Sequence, residues 1–76
     1  MRNFPKITGR LRTFKNDKRF GFIARDDGEP DVFVSNAAFD LGGIDYVEVG
    51  MRLAFVIEQG KSGLRAGWLE LLGEPQ

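Results

Sequence analysis

The chain has 76 residues with neither cysteine nor histidine, and its 11 Lys and Arg balance 11 Asp and Glu. This length accommodates one small domain with a thin margin of stability. The two missing residue types exclude disulfides, imidazole bases, nucleophilic thiolates and the usual zinc ligands. We therefore expect a non-enzymatic domain without a cofactor or a metal site. Its net charge of zero argues by itself against nonspecific binding of nucleic acid.

The balance of charge hides a segregation along the chain. Residues 1–25 carry eight Lys or Arg and one acidic residue, a net charge of +7, and the remainder carries −7. If the first two strands lie together, the folded protein has a basic face although the whole chain is neutral. The alternative is that surface charges happen to segregate in a short sequence.

Residues 1–6 are predicted to be an N-terminal extension. They lead into no apolar run, so we expect neither a secretory signal nor a membrane span, and a cytoplasmic location is the default prediction. The domain is predicted to span residues 7–72, followed by a short polar tail over residues 73–76.

The first strand is predicted over residues 7–15. Its apolar and polar residues alternate imperfectly, which indicates a bulge. Arg12 and Lys15 are candidate phosphate contacts, whereas Phe14 is equally compatible with the core and with the binding surface.

After a turn at residues 16–18, the second strand brings two phenylalanines side by side. The period of two puts Gly21 and Ile23 on one face and Phe20 and Phe22 on the other. Because the core takes the first pair, the two rings face outward, next to Lys and Arg. Single-stranded nucleic acid suits such a surface, since its bases stack on the rings and its phosphates meet the cations. A register slip of one residue would instead bury the rings and expose Ile23.

Residues 26–30 form the next turn, and we interpret their carboxylates as solvated turn residues rather than a metal or acid–base site. The third strand, residues 31–35, directs Val32 and Val34 inward, so Phe33 is a third outward ring. Ser35 or Asn36 caps a single helical turn, in which Phe39 closes the end of the core. A long loop and two strands follow: residues 40–50, 52–58 and 64–72.

Five short strands, Gly-rich turns and no long helix predict an all-β fold. At this length, a closed five-stranded antiparallel barrel is favoured because closure removes exposed edges.

Two segments carry a resemblance to a known family, the cold-shock domain. Lys18-Arg19-Phe20-Gly21-Phe22-Ile23 resembles its RNP1 motif, and Asp31-Val32-Phe33-Val34, at the usual distance, resembles its RNP2 motif. The resemblance extends over nearly the whole domain and implies an OB-type barrel that binds single-stranded RNA or DNA. Lys18, Phe20, Phe22 and Phe33 stand as that family has them.

Other positions depart from the family pattern. Thr13 replaces a surface Trp, Ser35-Asn36 replace a His-Phe pair, and Arg19 replaces a small Gly. Each base stacked on a ring is worth roughly 1–3 kcal/mol, so two or three missing platforms cost about 2–9 kcal/mol. Extra guanidinium groups offset part of this loss by contacting phosphates or stacking on bases. We therefore predict a weaker binder that relies more on charge and is unusually sensitive to salt.

The predicted function is single-stranded RNA or DNA binding of the cold-shock type, as an RNA chaperone or a regulator of expression. The alternative is a degenerate OB-type barrel used for protein contact, with a partner protein or a second copy bound at a patch that includes Trp68. The predicted nucleic-acid contacts are rings, cations and hydrogen-bonding side chains: Arg12, Phe14, Lys15, Lys18, Phe20, Phe22, Phe33, Ser35, Asn36 and Arg65.

Overall fold

Five strands and one short helix make up the part of the chain that the computed structural model describes, residues 6–73. The predicted extension and tail lie outside the described residues, except for Lys6 and Gly73. In chain order the elements are β1 (Ile7–Lys15), β2 (Phe20–Arg25), β3 (Val32–Ser35), α1 (Asn36–Leu41), β4 (Arg52–Gly60) and β5 (Gly63–Gly73).

The strands close into a barrel in the order β1-β2-β3-β5-β4, with β4 pairing back onto β1. This confirms the prediction of an all-β, five-stranded OB-type barrel. One detail of that prediction is corrected, because β3 and β5 pair in parallel, with Phe33 opposite Arg65, so the barrel is mixed rather than antiparallel throughout. The long connection through α1, the following loop and β4 allows β5 to run in the same direction as β3.

The predicted bulge in β1 decides where Phe14 points. The register against β2 shifts between Leu11 and Thr13, so Arg12 is skipped and both Leu11 and Phe14 lie on the core face. The Phe14 ring packs edge-on against Phe39, with 6.0 Å between ring centroids. Phe14 is therefore partly buried on the core face, and its predicted contact with nucleic acid stays a prediction.

All five strands contribute buried side chains to the barrel interior, including the fully buried Ile23, Val34, Leu53 and Phe55. Phe39 from α1 is also buried and closes one end of the barrel, as predicted. Residues 6–73 contain no helix that is long and apolar enough to cross a membrane.

Candidate nucleic-acid interface

Three phenylalanine rings from β2 and β3 form one cluster on the outside of the barrel. Phe22 stands opposite Phe33 across the two strands, and Phe20 is the next outward residue on β2. The ring centroids are 6.3 Å apart for Phe20 and Phe22, 5.4 Å for Phe20 and Phe33, and 6.0 Å for Phe22 and Phe33. We call this cluster the aromatic patch. Its outward direction was predicted and is confirmed, since Gly21 and Ile23 are buried behind it.

The rings support one another in a fixed arrangement. Phe20 and Phe33 are tilted by 35°, whereas Phe22 stands nearly perpendicular to both. Edge-to-face contacts of this kind are favourable because of the quadrupole of each ring. Phe22 is the most open of the three, with 38% of its surface exposed, so its ring is the most accessible stacking platform.

Gly21 allows the aromatic patch to sit so close to β1. A Cβ atom on Gly21 would overlap the carbonyl oxygen of Thr13 and would lie 2.9 Å from the Cα atom and from a ring carbon of Phe14. The glycine between the two outward rings is therefore required by the close approach of β1 at its bulge.

One end of the aromatic patch borders an unpaired cluster of cations. Lys15 is the cross-strand partner of Phe20, and Lys18 and Arg19 immediately precede Phe20 in the chain. All three side chains are exposed, and none forms an ion pair with another described residue. We call Lys15, Lys18 and Arg19 the basic turn. Asp17, between Lys15 and Lys18 in the chain, is the one acidic residue in residues 15–19.

Arg19 adopts a left-handed backbone conformation, with φ of 61°. Its N–H donates to the carbonyl of Lys15 at 2.7 Å, and its own carbonyl accepts from the N–H of Asn36 at 2.9 Å. A residue with a Cβ atom loses roughly 1–2 kcal/mol in this conformation relative to the usual one. This explains why a glycine suits the position in the family pattern, and it means that Arg19 is held here at a cost in stability.

The other predicted cations are already engaged in ion pairs. Arg12 Nε lies 2.8 Å from Asp31 Oδ2, and Arg65 Nε lies 3.6 Å from Glu58 Oε1. Lys6 similarly pairs with Glu70 at 3.2 Å. Folding thus brings acidic residues of the later chain against cations of the first 25 residues, so the segregation of charge along the sequence survives in space mainly at the basic turn.

Two of the three positions where the resembled family has additional rings, Thr13 and Ser35, flank the aromatic patch. Thr13 stands opposite Phe22 on β1, and Ser35 stands opposite Phe20 on β3. Ser35 is the residue before α1, and its side chain makes no capping hydrogen bond. Asn36 Nδ2 donates to Asp40 Oδ2 at 3.5 Å. The patch is therefore complete in its centre and lacks stacking surface at both edges.

An open groove of about 820 Å³ continues from Phe22 and Phe33 toward the turn between β4 and β5. Its far wall is formed by residues 59–65, including Lys61, which makes no ion pair within residues 6–73, and the exposed Leu64. The sequence identified this turn but not its position, because the parallel pairing of β3 with β5 is what brings it beside Phe33. Lys61 and Leu64 were not among the predicted site residues.

The carboxylates of the turn between β2 and β3 are held by neighbouring groups. Asp26 Oδ2 accepts from Thr8 Oγ1 at 2.7 Å and from Arg52 at 3.1 Å, and Arg25 donates to both oxygens of Asp27. The hydrogen bond from Thr8 lowers the pKa of Asp26, and the hydrogen bond from Arg25 lowers the pKa of Asp27. These carboxylates are exposed turn groups, in agreement with their interpretation from the sequence.

Comparison with known proteins agrees with this geometry. Residues 7–71 match the model of the family described as the 'Cold-shock' DNA-binding domain. The "Cold shock-like protein CspA" of Vibrio cholerae is 39% identical over 67 residues, which cover 88% of this chain and 96% of that protein. The "Major cold shock protein CspA" of Bacillus cereus is 42% identical over 60 residues, covering 79% and 88%. The "Cold shock-like protein CspA" of Shewanella violacea is 41% identical over 59 residues, covering 78% and 84%.

Proposed function

The chain belongs to the family of the 'Cold-shock' DNA-binding domain, whose members bind nucleic acid and are not enzymes, and we propose that its ligand is an unpaired strand of RNA or DNA. The observation that carries this proposal is the juxtaposition of three outward rings with the basic turn. Rings bind the faces of bases, and cations attract the phosphates that join them.

The strand lies along the aromatic patch. Bases stack on Phe22 and on the exposed parts of Phe20 and Phe33, and phosphates contact the basic turn at one end. The groove beyond Phe33 accepts a further nucleotide next to Lys61. Bases held in this way are not available for pairing, so the protein acts as an RNA chaperone or as a regulator of expression, and we propose that it does so in the cytoplasm.

The departures from the family pattern set the balance between stacking and charge. Thr13 and Ser35 contribute no ring at the edges of the patch, so stacking supplies less of the free energy of binding. The basic turn and Lys61 supply four cations without intramolecular ion pairs among the described residues. Each neutralised phosphate of a single strand contributes about −0.7 to the slope of log K against log salt, so we expect a slope of roughly −2 to −3.

A titration with a fluorescent pyrimidine-rich oligonucleotide at low and at high salt tests the proposal. We expect binding at low salt that weakens steeply as salt is added, and backbone amide shifts at the aromatic patch and the basic turn. Lys18→Ala is expected to reduce both the affinity and the salt slope. Lys6→Ala is the matched control, because Lys6 is already paired with Glu70 and does not border the aromatic patch. Absence of binding at low salt would contradict the proposal.

A second candidate function is protein contact. The observation that favours it is Trp68, the only tryptophan of the chain, whose side chain is 73% exposed on β5 rather than packed against the barrel. An exposed ring of this size is typical of the centre of a protein interface. The two functions are compatible, because Trp68 does not belong to the aromatic patch.

A further inference from the structure

Trp68 combines high exposure with a strained backbone. It lies at a bulge of β5, where the register against β4 shifts between Ala54 and Val56, and its φ is 54°. Glycine and asparagine adopt this left-handed conformation most readily, and a bulky side chain does so at a cost of roughly 1–2 kcal/mol. The Trp68 side chain makes no hydrogen bond or ring contact within residues 6–73 that would offset that cost. The side chain is therefore presented to the outside at the expense of stability.

A groove of about 480 Å³ lies beside Trp68, between the end of α1 and β5. Leu41, which is 90% exposed, also lines this groove. The lining also includes the small residues Ala38, Gly42 and Gly67, with the Glu58 carboxylate lying against Gly67. The groove has room for an aromatic side chain from another molecule.

The charges around this groove are mixed and already paired. Lys6 and Arg65 border the groove, and their partners are Glu70 at 3.2 Å and Glu58 at 3.6 Å. The two ion pairs at the rim thus bring together two cations and two carboxylates, and neither Lys6 nor Arg65 is without a carboxylate partner. This arrangement disfavours nucleic acid, and it suits a partner surface that also carries both signs of charge.

We propose that a second copy of the chain occupies this groove, with Trp68 of each copy inserted beside Leu41 of the other. A two-fold dimer uses the same surface on both copies, so that surface must complement itself. The rim is compatible with this requirement because it carries two cations and two carboxylates, so the carboxylates of one copy can meet the cations of the other. This inference rests on the second candidate function and names its partner, and it is independent of nucleic-acid binding.

The area available indicates a weak dimer. Two tryptophan side chains bury roughly 300–500 Å² together, whereas a stable interface requires about 1,200 Å² or more. Leu41 and the groove walls add to the area that the two tryptophans bury, but the interface remains small. We therefore expect association at roughly micromolar or higher protein concentrations.

Sedimentation velocity and tryptophan emission over a series of protein concentrations test this inference. Because Trp68 is the only tryptophan, its emission reports directly on its own burial. We expect the sedimentation coefficient to rise and the emission to shift to shorter wavelength as concentration increases. Trp68→Asn retains a residue suited to the left-handed backbone, and it should remain monomeric. Leu41→Ser retains the fluorophore, and it should weaken association at least about tenfold while the emission shift is lost.

Charge variants test the self-complementary rim. Lys6→Glu should weaken association, and adding Glu70→Lys to it should restore association, because the rim again carries both signs. Phe22→Ala is the control that separates the two functions, since it removes a stacking platform and should leave association unchanged.

Two results would overturn the inference. The first is a monomer with unshifted emission at every concentration; retention of another protein by this chain, but not by Trp68→Asn, would then leave only the broader candidate of protein contact. The second is an emission shift on adding oligonucleotide to the monomer, together with weaker oligonucleotide binding by Trp68→Asn, which would assign Trp68 to nucleic acid. Oligonucleotide binding that persists in either case would leave the first proposed function standing.

Discussion

The aromatic patch and the groove beside Trp68 are two exposed aromatic regions with opposite electrostatic surroundings. In the patch, three rings contact one another and border the basic turn, whose cations form no ion pairs within residues 6–73. At the groove, Trp68 is the only ring among the described lining residues, and the two ion pairs beside it carry no net charge. Aromatic exposure alone therefore does not identify a ligand. The charges that remain unpaired decide between a polyanion and another protein surface.

The largest effect is expected when two platforms of the aromatic patch are removed together. Phe22→Ala combined with Phe33→Ala should cost about 2–6 kcal/mol of binding free energy, because each stacked base contributes roughly 1–3 kcal/mol. The oligonucleotide titration should then detect little or no binding. Trp68→Asn is the matched control, and its affinity for the oligonucleotide should equal that of the unaltered chain. An equal loss in both variants would remove the distinction between the two regions.

Adding a stacking ring at the edge of the aromatic patch should increase the difference in oligonucleotide binding between this patch and the groove beside Trp68. Thr13 is exposed and stands opposite Phe22, so Thr13→Trp places a ring next to the most open one. We expect the affinity for single strands to increase by about 1–3 kcal/mol, with a smaller relative dependence on salt. The same titration measures both quantities. An unchanged affinity would show that stacking is not limited by the missing edge.

Arg19 and Trp68, the two non-glycine residues with positive φ in residues 6–73, allow the two regions to be compared at similar backbone strain. Arg19→Gly relieves about 1–2 kcal/mol of backbone strain and loses about 0.4–1 kcal/mol to the greater freedom of the unfolded chain, so the net gain in stability is about 0.8 kcal/mol at the middle of both ranges and about 1.6 kcal/mol at most. Urea unfolding should show this gain, and the salt slope of oligonucleotide binding should fall by about 0.7. Trp68→Gly should give a similar gain in stability with no change in slope. A loss of stability in Arg19→Gly would contradict the strain assigned to this residue.

The smallest effect is expected at the turn between β2 and β3, which lines neither region. The pKa values of Asp26 and Asp27 are lower in the folded chain, so their contribution to stability is present above the unfolded pKa of about 4. It is lost as the pH falls through the lower folded values. Urea unfolding as a function of pH should therefore show a modest decrease in stability below about pH 4. Asp27→Asn should reduce this pH dependence, and an unchanged profile would contradict the role of the Arg25 pair.

Alternation along single strands made much of the fold and the centre of the site predictable. A period of two is a local property, so burial of Ile23 and Val34 fixes the opposite direction for Phe22 and Phe33 without knowledge of the rest of the barrel. Turn residues between the strands set their limits in the same way. The sequence alone predicted the five strands, the short helix that buries Phe39, and the outward aromatic patch.

Features that depend on contacts between segments far apart in the chain were decided by the closure of the barrel. The bulge turned Phe14 into the core, because the shift in register moved it to the other face of β1. Pairing of β3 with β5 placed Lys61 beside the aromatic patch. Folding of the later, acidic chain onto the first strands paired Arg12 with Asp31, whereas Lys18 has no ion pair among the described residues. Ion pairs and grooves depend on distances in three dimensions, whereas alternation depends only on neighbours along the chain. For that reason the sequence determined that Phe20, Phe22 and Phe33 face solvent, and only the tertiary structure decided which charges accompany them.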